Sequence, residues 1–294
     1  MARDEKTGEM GVAVQSHYFS VGSAVTWARA GVGAVATQAM VDVRYGPLGL
    51  GLMAAGLSAP EALSSLLKGD LKPEVRQVAM VDSKGRVAAH TGKLCIPSAG
   101  HATGKAFSCQ GNIMANRRVW GAMKAAFEAN GALPLPERMM AALDAAQAAG
   151  GDLRGKQSAA MLVVGPDLKA NYWEGKVIDL RVEDHPEPLG ELRRLIRFQR
   201  GYRWSDVGDD YLSSGKVDRA LDAYAKAMEL VPEMAELKYW VAISLVSTGK
   251  DRRRGLEILK EVCAQDPNWI RVTEGMVRTG SPPLDPSIIR EIAD

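Results

Sequence analysis

Short apolar stretches punctuated by glycine fill the first half of this chain and leave it few folds. Residues 11–15 (GVAVQ) and 31–38 (GVGAVATQ) are rich in valine and alanine and bounded by glycine. Runs of this length are too short for a helix, and β-branched residues suit a pleated backbone, so both read as buried strands. AFSCQGNI (106–113), SAAMLVVG (158–165) and ANYWEGKVIDLRV (170–182) read the same way. VRQVAMVDSKGRVAAHTG (75–92) alternates on either side of Asp82-Ser83-Lys84-Gly85, the pattern of a β-hairpin.

Helical spacing falls between these strands. Residues 20–29 suit a loop followed by a short helix. Pro47 to Leu67 carries leucines at helical spacing, broken near Ser58-Ala59-Pro60. Ser58 is a good N-cap and proline is tolerated in a first turn, so two helices are expected, the second over 59–68. Residues 116–130 and 135–149 are alanine-rich helices, the second stopped by Gly150-Gly151. Strands, helices, strands, helices, strands is the order of a layered α+β domain with a mostly antiparallel sheet.

At His185-Pro186-Glu187-Pro188 the composition shifts, and the chain beyond reads as helix almost throughout. Two domains are expected, 1–184 and a helical one over 189–294. The tail carries an internal repeat. Trp204-Ser205-Asp206-Val207-Gly208-Asp209-Asp210-Tyr211 fits the W-x2-[LV]-G-x2-Y pattern of a tetratricopeptide repeat. Gly215-Lys216 recurs 34 residues later as Gly249-Lys250. A free-standing solenoid needs about three such repeats, so two imply packing on neighbouring helices or on a partner.

Charge and composition remove several function classes. The 37 basic and 35 acidic residues leave a formal net charge of +2, which predicts neither a nucleic-acid surface nor a membrane anchor. Cys95, Cys109 and Cys263 are an odd number with no CxxC spacing, against a disulfide framework or structural zinc. The histidines His17, His90, His101 and His185 form no HxxxH or HxH pair, so neither a metal nor another cofactor is expected. MARDEKTGEM is charged, unlike a signal peptide, and no apolar run is long enough to span a bilayer. The expected location is the cytoplasm.

Residues 11–45, QGNIMAN (110–116) and GGDLRGKQSAAMLVVGPD (150–167) together closely resemble the DUF1028 family, a bacterial family without an assigned reaction. The resemblance covers roughly residues 2–182. It implies the fold of N-terminal nucleophile hydrolases: a four-layer αββα sandwich with the active site at one end of its sheets. Family members begin with a short strand close to Thr-Phe-Ser-Ile, followed by Ala-Arg-Asp. This chain has Ala2-Arg3-Asp4 with Met1 alone before it. The residue expected as nucleophile is thus absent ahead of Ala2, and the expectation is that Met1 is an internal codon with the nucleophile strand upstream. A catalytically silent, truncated form is the alternative.

The implied chemistry needs few partners. A first-residue Thr, Ser or Cys attacks an amide carbonyl while its own α-amine acts as general base. Amide or backbone donors then stabilise the oxyanion. Asn112 and Gly111 are the oxyanion candidates, against an ordinary Asx turn. His17, which ends the first strand with Ser16, is the side chain there whose usual titration range spans neutral pH. Ser16, Thr37, Gln38 and Arg44 follow strand ends and are candidates to line a pocket, with Arg44 suited to a substrate carboxylate. Asp152, Arg154 and Lys156 lie in a glycine-rich loop suited to anion recognition, although GxxxxGK[ST] is not satisfied. Each also has a plain structural alternative: a strand cap, a surface arginine, a solvated connection.

The leading expectation is an amide-bond hydrolase acting on a small molecule and assembled as a homo-oligomer. The second is a scaffold protein whose tetratricopeptide-like tail binds a peptide or protein. A third makes Cys109 or Cys95 the nucleophile, although both read better as small buried hydrophobes. Neither nucleic acid nor membrane is expected as a partner.

Overall fold

The structure, a computed structural model, describes residues 1–293. The chain divides into two compact units, Met1–Leu195 and Ile196–Asp294. The first unit contains strands β1 (Ala2–Arg3), β2 (Met10–Ser16), β3 (Thr26–Arg29), β4 (Gly33–Ala39), β5 (Arg76–Asp82), β6 (Val87–Thr91), β7 (Gly100–Gly104), β8 (Phe107–Gly111), β9 (Ser158–Val164) and β10 (Lys176–Val182). They form a six-stranded sheet ordered β10-β9-β2-β1-β8-β7 and a four-stranded sheet ordered β3-β4-β5-β6. Every pairing among these strands is antiparallel.

Apolar side chains of both sheets meet in one core. Met1, Met10, Val12, Val14, Ala160, Leu162 and Val164 from the larger sheet pack with Ala28, Ala34, Ala36, Ala79 and Val81 from the smaller. Small residues at these positions let the sheets approach closely. Helices α2 (Tyr45–Ala54) and α3 (Ala59–Gly69) cover the other face of the smaller sheet, where Leu50, Met53, Ala62 and Leu63 meet Val35, Val78 and Met80. Helices α4 (Val119–Ala129) and α5 (Leu135–Ala148) lie on the larger sheet. β9 (SAAMLVV) is buried at every position, which explains its unbroken apolar run. β10, at the sheet edge, alternates exposed and covered residues. A four-residue helix α1 (Gly22–Val25) precedes β3.

Two expectations change, and one strand forms where none was expected. Residues 26–29 continue as β3, paired with β4, after the short helix ends. Residues 100–104 (GHATG) form β7 although they carry no apolar alternation; rings take the place of side chains there. A Cβ on Gly100 would come within 2.5 Å of the Trp120 ring, and one on Gly104 within 2.2 Å of Phe107. The expected strand over 170–182 is shorter, because residues 171–175 form a turn with Gly175 at φ +76°.

The second unit is helical. One continuous helix, α6 (Pro188–Ser213), runs through the Trp204–Tyr211 motif, and the boundary between the units falls inside it. It is followed by α7 (Val217–Leu230), α8 (Ala235–Thr248), α9 (Arg252–Gln265), α10 (Asn268–Thr279) and α11 (Ile288–Ala293). Gly215 and Gly249, at φ +73° and +67°, end α6 and α8 in left-handed backbone. Gly208 leaves room for the Tyr224 ring, 2.3 Å from where its Cβ would be.

Candidate active site

β1 stops at Met1 in the interior of the larger sheet, and a cavity of about 160 Å³ opens where it stops. β2 from Ala13 to Ser16 forms one wall. β8 and its continuation, Ser108 to Ile113, form the facing wall, and Met1 closes the inner end. Val119, Met123, Leu143 and Ala146 of α4 and α5 make the floor apolar, while Gln38, Asp152 and Arg154 add polar groups.

The Asp152 carboxylate organises the mouth. Its Oδ1 accepts from the Arg154 backbone N–H at 2.9 Å and from Arg154 Nε at 3.0 Å. Its Oδ2 accepts from the Arg154 guanidinium at 2.7 Å and from the His17 N–H at 3.2 Å, with Ser16 Oγ at 3.5 Å. Burial pushes this carboxyl upward, but the Arg154 bonds and the His17 N–H outweigh it and hold its pKa below the ordinary value. Two backbone bonds, Leu153 N–H to Ile113 and Ala115 N–H to Gly151, fasten the 150–155 loop to the chain after β8.

Asn112 is oriented from beneath. Its Nδ2 donates to Gln77 Oε1 at 3.1 Å, and Gln77 Nε2 donates to the Gly111 carbonyl at 2.9 Å. Gln77 is fully buried and reaches up from β5. A primary amide carries two donor hydrogens, so one of Asn112's remains for a ligand.

Two further groups define the chemistry. The Met1 ammonium is buried and donates to the Ser108 carbonyl at 3.0 Å; burial lowers its pKa. The Cys109 thiol lines the cavity, and burial pushes it up to about 11. A thiol held so firmly protonated is a poor nucleophile at neutral pH. Cys95 is buried too, raised in the same direction, and bonds the Arg76 carbonyl. His101 meets Thr91 Oγ1 at 2.9 Å.

Of the ten residues singled out from the sequence, Ser16, Gln38, Gly111, Asn112, Asp152 and Arg154 line the cavity. His17 is exposed and meets the site through its backbone. Thr37 is fully buried and donates to the Asp42 carbonyl. Arg44 is held bidentately by Asp42 and lines a separate depression. Lys156 pairs with Glu187. Gly111 turns its carbonyl to Gln77, and a Cβ there would meet Met114 at 2.9 Å. Sequence reasoning missed Gln77, a polar residue beside a strand-forming apolar run that only strand register brings to the site; Gln15 and Gln110, within the segments read from the sequence, line the cavity.

No group of three or more His, Cys, Asp or Glu residues among the described residues is placed to hold a metal ion. No described helix is long and apolar enough to cross a membrane.

Comparison with known proteins gives three findings. The model of the family described as "Family of unknown function (DUF1028)" matches residues 1–192. The crystal structure of protein SPO2555 from Silicibacter pomeroyi, described as a DUF1028 protein, is similar at 32% sequence identity and a TM-score of 0.60, over 67% of this chain and 82% of that one. Superkiller protein 3 of Saccharomyces cerevisiae is 27% identical over 107 residues, which is 34% of this chain and only 7% of the yeast protein's length. With a family model matching well over half its length and a solved relative 32% identical over 67% of the chain, the chain belongs to the DUF1028 family.

Proposed function

We propose that the first unit is an N-terminal nucleophile amide hydrolase with the four-layer αββα architecture, and that its nucleophile is a Thr or Ser carried ahead of Met1. The observation that carries this reading is the cavity at the end of β1, with the Asn112 amide and the Asp152–Arg154 pair at its mouth. In the reaction, the nucleophile's hydroxyl oxygen adds to the substrate carbonyl as its own α-amine takes the hydroxyl proton. Asn112 Nδ2 donates to the resulting oxyanion. Collapse breaks the C–N bond, the ammonium returns the proton to the leaving amine, and water then cleaves the acyl-enzyme ester.

The test compares two extended chains, one beginning with Thr and one with Ala at the same upstream position, on a panel of small amides and cyclic imides. Hydrolysis by the first alone supports the reading. Equal inactivity of both on every substrate overturns it.

A second reading concerns the tail. The glycine-ended helices α6 and α8 and the exposed Trp204 and Trp240 favour a tetratricopeptide-like module that binds a peptide. Failure of residues 185–294 to retain any partner in a pull-down argues against it.

A further inference from the structure

A line of hydrogen bonds leads from the cavity to the edge of the larger sheet. Asn112 Nδ2 donates to Gln77 Oε1 at 3.1 Å, Gln77 Nε2 lies 3.1 Å from Thr91 Oγ1, and Thr91 Oγ1 lies 2.9 Å from His101 Nδ1. Strand register explains the meeting. Gln77 of β5 faces Thr91 of β6, and His101 of β7 faces Gln110 of β8, two residues before Asn112. The line thus starts on the cavity wall and ends on an edge strand, where His101 is exposed.

Donors and acceptors give the line a direction. Asn112 supplies a hydrogen, and Gln77 Oε1 can only accept it. Gln77 Nε2 has two hydrogens for three acceptors: Thr91 Oγ1, and the carbonyls of Gly111 at 2.9 Å and Gly100 at 3.2 Å. Thr91 Oγ1 is an acceptor in that bond, so its own hydrogen is left to give. Among the described residues its further side-chain partner is His101 Nδ1. A neutral ring with its hydrogen on Nε2 takes the Thr91 hydrogen at Nδ1. Every link then runs the same way, and aligned links strengthen one another.

A protonated ring has no acceptor to offer. Its Nδ1–H points at Thr91 Oγ1, two donors now approach that oxygen, and the hydroxyl hydrogen turns away. The charge beside Oγ1 makes it a weaker acceptor for Gln77. Gln77 Nε2 then favours its two carbonyl partners, its Oε1 turns with the same planar amide, and Asn112 follows.

The other titratable groups on the elements packed against β7 are His90 of β6, Cys109 of β8, and Lys124 and Glu128 of α4. Partial burial of the His101 ring, and to a lesser degree the charge on His90, hold its pKa below the ordinary value. Lys124 donates to the Thr103 carbonyl and pairs with Glu128.

We propose that His101 is a positioning residue: while neutral it anchors the one-way chain that aims Asn112 into the cavity, and on gaining a proton it reverses the last link and loosens Asn112. Its contribution to hydrolysis rests on the function proposed above; the chain of bonds does not.

The test is NMR of the full chain with isotope-labelled side-chain amides and histidine rings, titrated between about pH 5 and 8. The Gln77 and Asn112 amide signals should move with the midpoint of the His101 ring. Thr91→Ser, which keeps the hydroxyl, should preserve that movement. Thr91→Val should abolish it while His101 itself still titrates. His17→Gln, which removes the ring beside Asp152, should leave it in place. An Asn112 signal that stays still at the His101 midpoint, or moves equally in Thr91→Val, overturns the proposal. In a version that hydrolyses amides, His101→Gln should remove the inflection of kcat at that midpoint, and an unchanged inflection overturns the positioning role. Absence of hydrolysis with the coupled movement intact defeats the hydrolase reading and leaves the chain of bonds standing.

Discussion

The side-chain nitrogen of Gln77 lies 2.9 Å from the Gly111 carbonyl oxygen, and this bond crosses from the four-stranded sheet to the six-stranded one. The same nitrogen is 3.1 Å from Thr91 Oγ1 and 3.2 Å from the Gly100 carbonyl, and Gln77 Oε1 accepts from Asn112. A single buried amide thereby sets the height of β8 above β5 and the direction of Asn112.

Gln77→Leu keeps most of the volume but leaves the Gly111 and Gly100 carbonyls and Thr91 Oγ1 without this donor and Asn112 Nδ2 without its acceptor. A loss of about 2–4 kcal/mol is expected, from the stranded polar groups and imperfect packing. Urea unfolding measures it; a change under about 1 kcal/mol would show that the bridge is dispensable.

Asp152 predicts a pH dependence. Its folded pKa is depressed, so its contribution is complete above the ordinary carboxylate range and is lost as pH falls through the folded value. Asp152→Asn should therefore flatten the acid side of the stability curve and speed exchange of the His17 amide. Parallel acid limbs in the two proteins would contradict this.

The Met1 amine gives the same pH direction, as a cost at low pH rather than a contribution at high pH. Its folded pKa lies below the ordinary value of 8.0, so charge burial weighs against folding at low pH, and this cost fades as pH rises through the window. Acetylating Met1 in a chain of verified intact mass should raise Tm at pH 6. The gain should stop changing above about pH 8. A gain independent of pH across that range would rule the explanation out.

Cys109, with its thiol raised to about 11, should resist alkylation at pH 7.4 until the chain unfolds. Its thiolate fraction there is on the order of one in a few thousand. Rapid native labelling would restore the cysteine hydrolase.

Ser58 caps α3. It accepts from the Glu61 N–H while the Glu61 carboxylate accepts from the Ser58 N–H at 2.8 Å. Ser58→Ala should cost about 1 kcal/mol in a thermal or urea melt; no change would mean that the Ala59 N–H bond to Asp82 holds the helix start unaided.

The sequence made the apolar elements plain. β2, β4, β5 and β9 are strands because valine and alanine runs bury both faces, and the Ser58 cap was readable as a local pattern. β7 was not legible, since its glycines matter for the rings of Trp120 and Phe107, which lie in other segments. The site divides the same way. Ser16, Asn112, Asp152 and Arg154 were reachable through family resemblance, and they line the cavity. Arg44 and Lys156 looked equally suited to a ligand, but each has an acidic neighbour that claims it, Asp42 at two residues' distance and Glu187 across a loop. Gln77 shows nothing in sequence beyond a polar residue beside VAMV. Its importance comes from a register spanning both sheets.

β1 also has a mechanical consequence. The larger sheet is two leaves, β10-β9-β2 and β8-β7, laced together at one end by Met1, Ala2 and Arg3. The open seam beside that lacing is where a pulling force or a thermal fluctuation finds the least resistance. In an optical trap, tension applied across the seam should part the leaves like an unfastened hinge before either leaf loses its own strands.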